Sequence, residues 1–135
     1  MLVEPLPELV FKTRIFARWA RHESVADREL CRAGAAMMQG LIDARLGGGV
    51  FKKRVARAGQ GKSGGYRVIV ASNLGDRWVF MFGFAKNERD NVDDEELRLI
   101  KRLAALFLGM SAGKLRQAIE AGELIEVRCG KQETA

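Results

Sequence analysis

Tyr66-Arg67-Val68-Ile69-Val70-Ala71-Ser72-Asn73-Leu74-Gly75-Asp76-Arg77-Trp78-Val79-Phe80-Met81-Phe82-Gly83-Phe84 is the stretch that decides the fold. Tyr66 to Ala71 is rich in β-branched residues, Asn73 to Asp76 supplies turn chemistry, and Arg77 to Phe84 returns as the mate of a hairpin. Upstream, the turn Gly47-Gly48-Gly49 leads into a strand over Val50 to Arg57, and the glycine-rich connection Gly59 to Gly65 joins it to the hairpin. Downstream, Asp93 as N-cap with Glu96 at the third helical position reads as a capping box, flanked by Val92 and Leu97 as a hydrophobic staple. Leu97, Ile100, Leu103, Ala104 and Phe107 then recur at helical spacing, and Gly109 ends the helix. Ser111 caps a final short helix to Ala121. At the other end, Val10 to Phe16 reads as a first strand, and Ser24 caps a helix to about Gln39 that buries Val25, Leu30, Ala33 and Met37. Strand, helix, three consecutive strands and then helices describe an α+β fold with a largely antiparallel sheet.

Composition narrows the class. A chain of 135 residues fits a single domain over 1–135, and 47% hydrophobic with 30% charged residues excludes a disordered chain. No apolar run approaches the roughly 18–20 residues of a membrane span, and Glu4, Pro5, Pro7 and Glu8 stand where a signal peptide carries its basic and apolar regions. The expectation is a cytoplasmic protein without membrane or metal. Cys31 and Cys129 belong to no CxxC or Cys/His cluster and read as isolated thiols used for packing. His22, the only histidine, lies between Arg21 and Glu23 in a polar segment, where it has neither the ligands of a zinc site nor the partners of a triad.

Charge is the next signal. From Ala44 to Gly75 there is no acidic residue, yet the stretch holds Arg45, Lys52, Lys53, Arg54, Arg57, Lys62 and Arg67, against a net charge of +6 for the whole chain. A local cationic field suits a polyanion, with nucleic acid the first candidate. Gly59, Gly61 and Gly64 satisfy GxGxxG, and Gly61-Lys62-Ser63 echoes a phosphate-binding loop. Such a loop must open a helix, whereas Gly65-Tyr66-Arg67-Val68 opens a strand, so nucleotide binding is set aside. Strand alternation puts Lys52 and Arg54 on one face and Phe51, Lys53 and Val55 on the other. If the three strands pair, Lys52, Arg54, Arg67 and Lys86 converge on one surface; the competing reading is a solvated edge strand whose lysines deter pairing. Trp78, Phe80, Phe82 and Phe84 form a period-2 aromatic stripe, which packs helices on the sheet if buried and stacks bases if exposed.

Three segments in order, Phe51-Lys52-Lys53-Arg54-Val55, Gly64-Gly65-Tyr66-Arg67-Val68-Ile69 and Phe84-Ala85-Lys86-Asn87-Glu88-Arg89, resemble the RelE/ParE toxin superfamily, in its HigB-like variant. The resemblance covers about Phe11 to Leu108. It implies a RelE-like core at about 11–108, a helical C-terminal extension at about 109–128, and a toxin of a type II toxin–antitoxin pair. Such a toxin cuts mRNA on the ribosome and is held inactive by a cognate antitoxin, with no cofactor. The alternatives are a ParE-like inhibitor of DNA gyrase and a nucleic-acid-binding module without cleavage. The resemblance further implies Lys52, Arg54, Arg67 and Lys86 as catalytic residues, with Lys53, Arg57, Lys62, Asn87 and Arg89 as RNA contacts. Asn87 stands where well-studied members carry arginine, and Asp93 or a neighbour where they carry tyrosine. Attack by a 2′-hydroxyl needs a base, an acid and cations for the developing charge. Lys52 or Lys86 is the candidate base and Arg54 and Arg67 the phosphate clamp, while Tyr66 alternates with Arg67 and points to the core.

Overall fold

The computed structural model describes residues 9–56, 65–89 and 91–129. The elements are β1 (Leu9–Thr13), α1 (Arg14–Glu23), α2 (Asp27–Met38), β2 (Ala44–Gly47), β3 (Val50–Val55), β4 (Tyr66–Ser72), β5 (Arg77–Ala85), α3 (Asp94–Leu108), α4 (Ala112–Glu120) and β6 (Leu124–Val127). They build one six-stranded sheet in the order β2-β3-β4-β5-β1-β6. Only the β1–β5 pair is parallel. The α+β expectation with a largely antiparallel sheet therefore holds. No helix among the described residues is long and apolar enough to cross a membrane.

The hairpin forms as its chemistry dictates. The Asn73 side-chain oxygen accepts the backbone N–H of Gly75 at 2.9 Å and of Arg77 at 3.2 Å, an Asx-type turn. Asn73 Nδ2 donates to Asp76 Oδ1 at 3.0 Å, and this bond leads the causes that hold the Asp76 carboxyl below its ordinary range. Downstream, the capping box at Asp93 and Glu96 is present in full, and Ser111 caps α4 through the N–H of Lys114.

The N-terminal segment departs from the sequence reading. The first strand stops at Thr13 instead of running to Phe16, because the Thr13 hydroxyl accepts the Phe16 N–H at 3.1 Å and starts a helix there. In α1, Phe16, Ala17 and Ala20 face the sheet while Arg14, Arg18 and Arg21 are exposed. Ser24 ends α1 in a left-handed conformation (φ 60°) and does not cap α2, whose N-cap is Ala26. The C-terminal segment also differs: the stretch expected to be helical over about 109–128 is helical only to Glu120, and Leu124–Val127 is an edge strand antiparallel to β1.

Helices cover both faces. On one, α1 and α2 pack Phe16, Leu30 and Met37 against Phe51, Tyr66, Val68, Trp78 and Phe80; on the other, α3 and α4 pack Ile100, Ala104, Phe107 and Leu115 against Ile69, Val79, Met81 and Phe84. The aromatic stripe is therefore divided. Val70 pairs with Phe80 but Ile69 pairs with Phe82, so Met81 is the extra residue of a β-bulge. Trp78 and Phe80 lie below the sheet with α1, and Phe82 and Phe84 lie above it with α3. Gly83 then faces α1, and the Trp19 ring occupies the space a side chain would need.

Two arginines are spent on helix ends. Arg77 Nη1 donates to the carbonyls of Phe107, Leu108 and Met110 at 3.0, 3.2 and 2.8 Å, and Arg14 donates to those of Gly122 and Ala121 at 3.1 and 3.0 Å. Both satisfy carbonyls a helix leaves unpaired. The cysteines correct the reading of isolated thiols: Cys31 on α2 and Cys129 just past β6 form a disulfide, their Cα atoms 5.7 Å apart across a separation of 98 residues. Sequence spacing carried no sign of it, because sheet pairing of β6 with β1 is what brings the two together.

Candidate nucleic-acid interface

The register of β3, β4 and β5 assembles the site. Arg54 lies opposite Arg67 and Arg67 opposite Phe84; one row on, Lys52 lies opposite Ile69 and Ile69 opposite Phe82. Ile69 and Phe84 belong to the α3-side core, so all these side chains share that face. Leu108 lies against Gly49, and Lys101 against Gly47 and Gly48, so the C-terminal half of α3 covers the β2–β3 turn. Lys52 and Arg54 lie further along β3, beyond that cover, where Arg54 is exposed and Lys52 and Arg67 are half-buried.

Directly opposed like charges on neighbouring strands repel. Among the described residues, Lys52, Arg54 and Arg67 make no ion pair. Among the described residues, Arg67 Nη1 donates to the carbonyl of its neighbour Tyr66, at 3.4 Å. Two arginines opposed across neighbouring strands, with a lysine one row away, are an arrangement whose repulsion a bound anion can relieve. The half-buried Phe82 ring lies in the Lys52 row and the buried Phe84 ring in the Arg54–Arg67 row, which gives the cations an aromatic flank.

The other sequence-derived candidates divide. Lys86 and Asn87 are exposed in the turn after β5, where the Lys86 N–H donates to the Gly65 carbonyl at 3.2 Å. Lys86 lies past the end of β5, so strand alternation does not assign it to the face of the cations. Lys53 is on the opposite face and donates to the Leu41 carbonyl at 2.9 Å. Arg89 has internal partners: it pairs with Glu96, donates to the Asn91 carbonyl at 3.1 Å, and stacks over Phe82 and Phe84 at 5.6 and 5.4 Å from the ring centres. Arg57, Lys62 and the GxGxxG glycines lie outside the described residues. Tyr66 is buried as expected, edge-on to Trp19 at 5.2 Å with its hydroxyl donating to Glu23 Oε1 at 3.0 Å. The reading of the glycine loop also stands at its exit, since Gly65 leads straight into β4 and not into a helix.

Sequence reasoning missed Asp43. Its carboxylate accepts the backbone N–H of Arg54, and its own N–H donates to the Lys52 carbonyl at 3.1 Å. The only signal was position: Asp43 is the last acid before the acid-free stretch.

Fold and site together define a class of protein: a small α+β chain that carries basic side chains on the antiparallel strands of one sheet face. The family model described as the RelE toxin of the RelE/RelB toxin–antitoxin system matches residues 8–127, and the chain belongs to that family. Membership makes it the toxin of a toxin–antitoxin system, with an antitoxin as its partner. No curated protein is similar enough to the chain to count as a match.

Proposed function

We propose that this toxin is an mRNA endoribonuclease that acts on the ribosome. The observation that carries the reading is the Arg54–Arg67 pair with Lys52 beside it, three cations on one sheet face with no acidic partner among the described residues. In the reaction the 2′-hydroxyl of the substrate attacks the adjacent phosphate, forming a cyclic phosphate and releasing the 5′-oxygen. Arg54 and Arg67 hold the phosphate and stabilise the charge that grows on its oxygens. Lys52 or Lys86 takes the 2′-hydroxyl proton, and the other lysine returns a proton to the leaving oxygen. Asn87 beside Lys86 and Lys53 at the sheet edge are the flanking RNA contacts this reading favours. The antitoxin silences the toxin by occupying or screening the cationic face, to which an acidic segment is complementary.

The test is induction of the toxin followed by primer extension on translated messages. Discrete cuts within codons are expected, and Arg67→Ala should abolish them while the circular dichroism spectrum stays unchanged. Intact mRNA with arrested DNA replication would overturn the reading in favour of gyrase inhibition. RNA binding without cuts would reduce the protein to a binding module.

A further inference from the structure

Beside the cationic face lies a groove of about 460 Å³, within the roughly 300–1,000 Å³ of small-molecule sites. It opens where β2 stops pairing with β3, which leaves the end of β3 alongside the segment that follows α2. Its lining includes Leu41, Asp43, Lys53, Arg54 and Ala56. Arg54 belongs to both the groove and the cationic row, so the groove adjoins that row at the end of β3.

The lining does not suit another phosphate. A carboxylate stands in it, and that carboxylate is fixed: one oxygen accepts the Arg54 N–H, the backbone of Asp43 is tied to Lys52, and the second oxygen has no partner among the described residues. Lys53, also in the lining, spends one of three donors on the Leu41 carbonyl, and the other two have no partner among the described residues. Leu41 is 59% exposed and supplies an apolar wall. A fixed acceptor, a donor and an apolar surface are what a flat ring with a mixed polar edge requires.

We propose that this groove binds a nucleobase of the RNA, one that carries an exocyclic amino group, and that Asp43 reads that group. The inference rests on the ribonuclease reading for its ligand but concerns a different contact. An acidic side chain accepts from the amino group of cytosine, adenine or guanine. Uracil has no amino group, and the one donor on its pairing edge, N3–H, is flanked on both sides by carbonyl oxygens that a carboxylate repels. Asp43 therefore disfavours uracil.

The experiment measures binding of four labelled pentanucleotides, oligo-A, oligo-C, oligo-G and oligo-U, by fluorescence anisotropy. The wild-type chain should prefer the best amino-bearing oligomer to oligo-U by roughly fivefold or more, the low end of a base-specific contact. Asp43→Asn keeps the acceptor for the Arg54 N–H and adds an amide donor, so affinity for oligo-U should rise and the ratio should fall close to one. Arg67→Ala should weaken all four alike and leave the ratio intact. Wild-type binding that does not discriminate against uracil overturns the proposal alone, as does an Asp43→Asn variant that folds normally and keeps the ratio. Failure to bind any of the four oligonucleotides also overturns this proposal alone, while the ribonuclease reading is judged by the primer-extension cuts.

Discussion

Gly83→Ala tests the packing that positions the site. A Cβ built on Gly83 lies within 3 Å of three atoms of the Trp19 ring, Cε3, Cζ3 and Cη2, where ordinary contact begins near 3.4 Å. The ring cannot swing away freely, because it lies 5.4 Å from the Phe16 ring and 5.2 Å from the Tyr66 ring. Overpacking of this kind costs about 1–3 kcal/mol. Replacing a strand glycine by alanine returns roughly 0.5–1 kcal/mol of backbone entropy. The net loss should be about 1–2 kcal/mol, which for a chain of this size is a fall in Tm of roughly 3–10 °C. Thermal unfolding followed by circular dichroism reads it. The decisive arm is a double-mutant cycle: with Trp19→Leu already in place, Gly83→Ala should cost little or stabilise. An equal loss in both backgrounds would refute the argument that the indole is what excludes a side chain.

Further outcomes follow from the same contacts. Arg77→Ala removes a guanidinium that serves three carbonyls at the end of α3, and it should lower stability to urea by about 1–3 kcal/mol. Reduction of the Cys31–Cys129 disulfide, which closes a loop spanning 98 residues, should cost about 2–5 kcal/mol. The check is Tm with and without reductant, and the Cys31→Ser/Cys129→Ser double variant should be insensitive to reductant.

Local chemistry was readable in the chain wherever a few adjacent residues determine it. The Asn73–Asp76 turn, the Asp93/Glu96 capping box and the Ser111 cap each operate within four residues, and each is present. Alternation along β3 correctly separated Lys52 and Arg54 from Lys53, because the period of a strand does not depend on its partners. What escaped depends on distant pairing or on competing local options. Arg14 to Glu23 has no acidic first turn, and its first residues also continue an apolar run from β1, so the helix start at Thr13 escaped the reading of a strand to Phe16. The bulge at Met81 is invisible in a regular aromatic alternation, since it shows only when the partner strand is counted. Strand β6 has four residues and gains its identity from β1 at the other end of the chain. The resemblance offered Arg89 as an RNA contact, while the rings and the carboxylate that engage it are brought to it by the fold.

The position of β1 has a consequence for how the toxin is made. Strands β2 to β5 are neighbours in sequence and in space, so they can pair as each leaves the ribosome. Strand β1, the earliest of the six, has Trp78 as the partner of Val10 on one side and Val127 on the other. It waits through most of synthesis for both neighbours, and its apolar Val10 and Phe11 stay without their native cover until β6 emerges. The cationic face is thus drafted early by a local meander, while the clasp that completes the sheet arrives last. Newborn chains pass through a window in which the charge is displayed but the scaffold is still open, and it is in that window that a chaperone or a cotranslationally supplied antitoxin has the most to gain by binding.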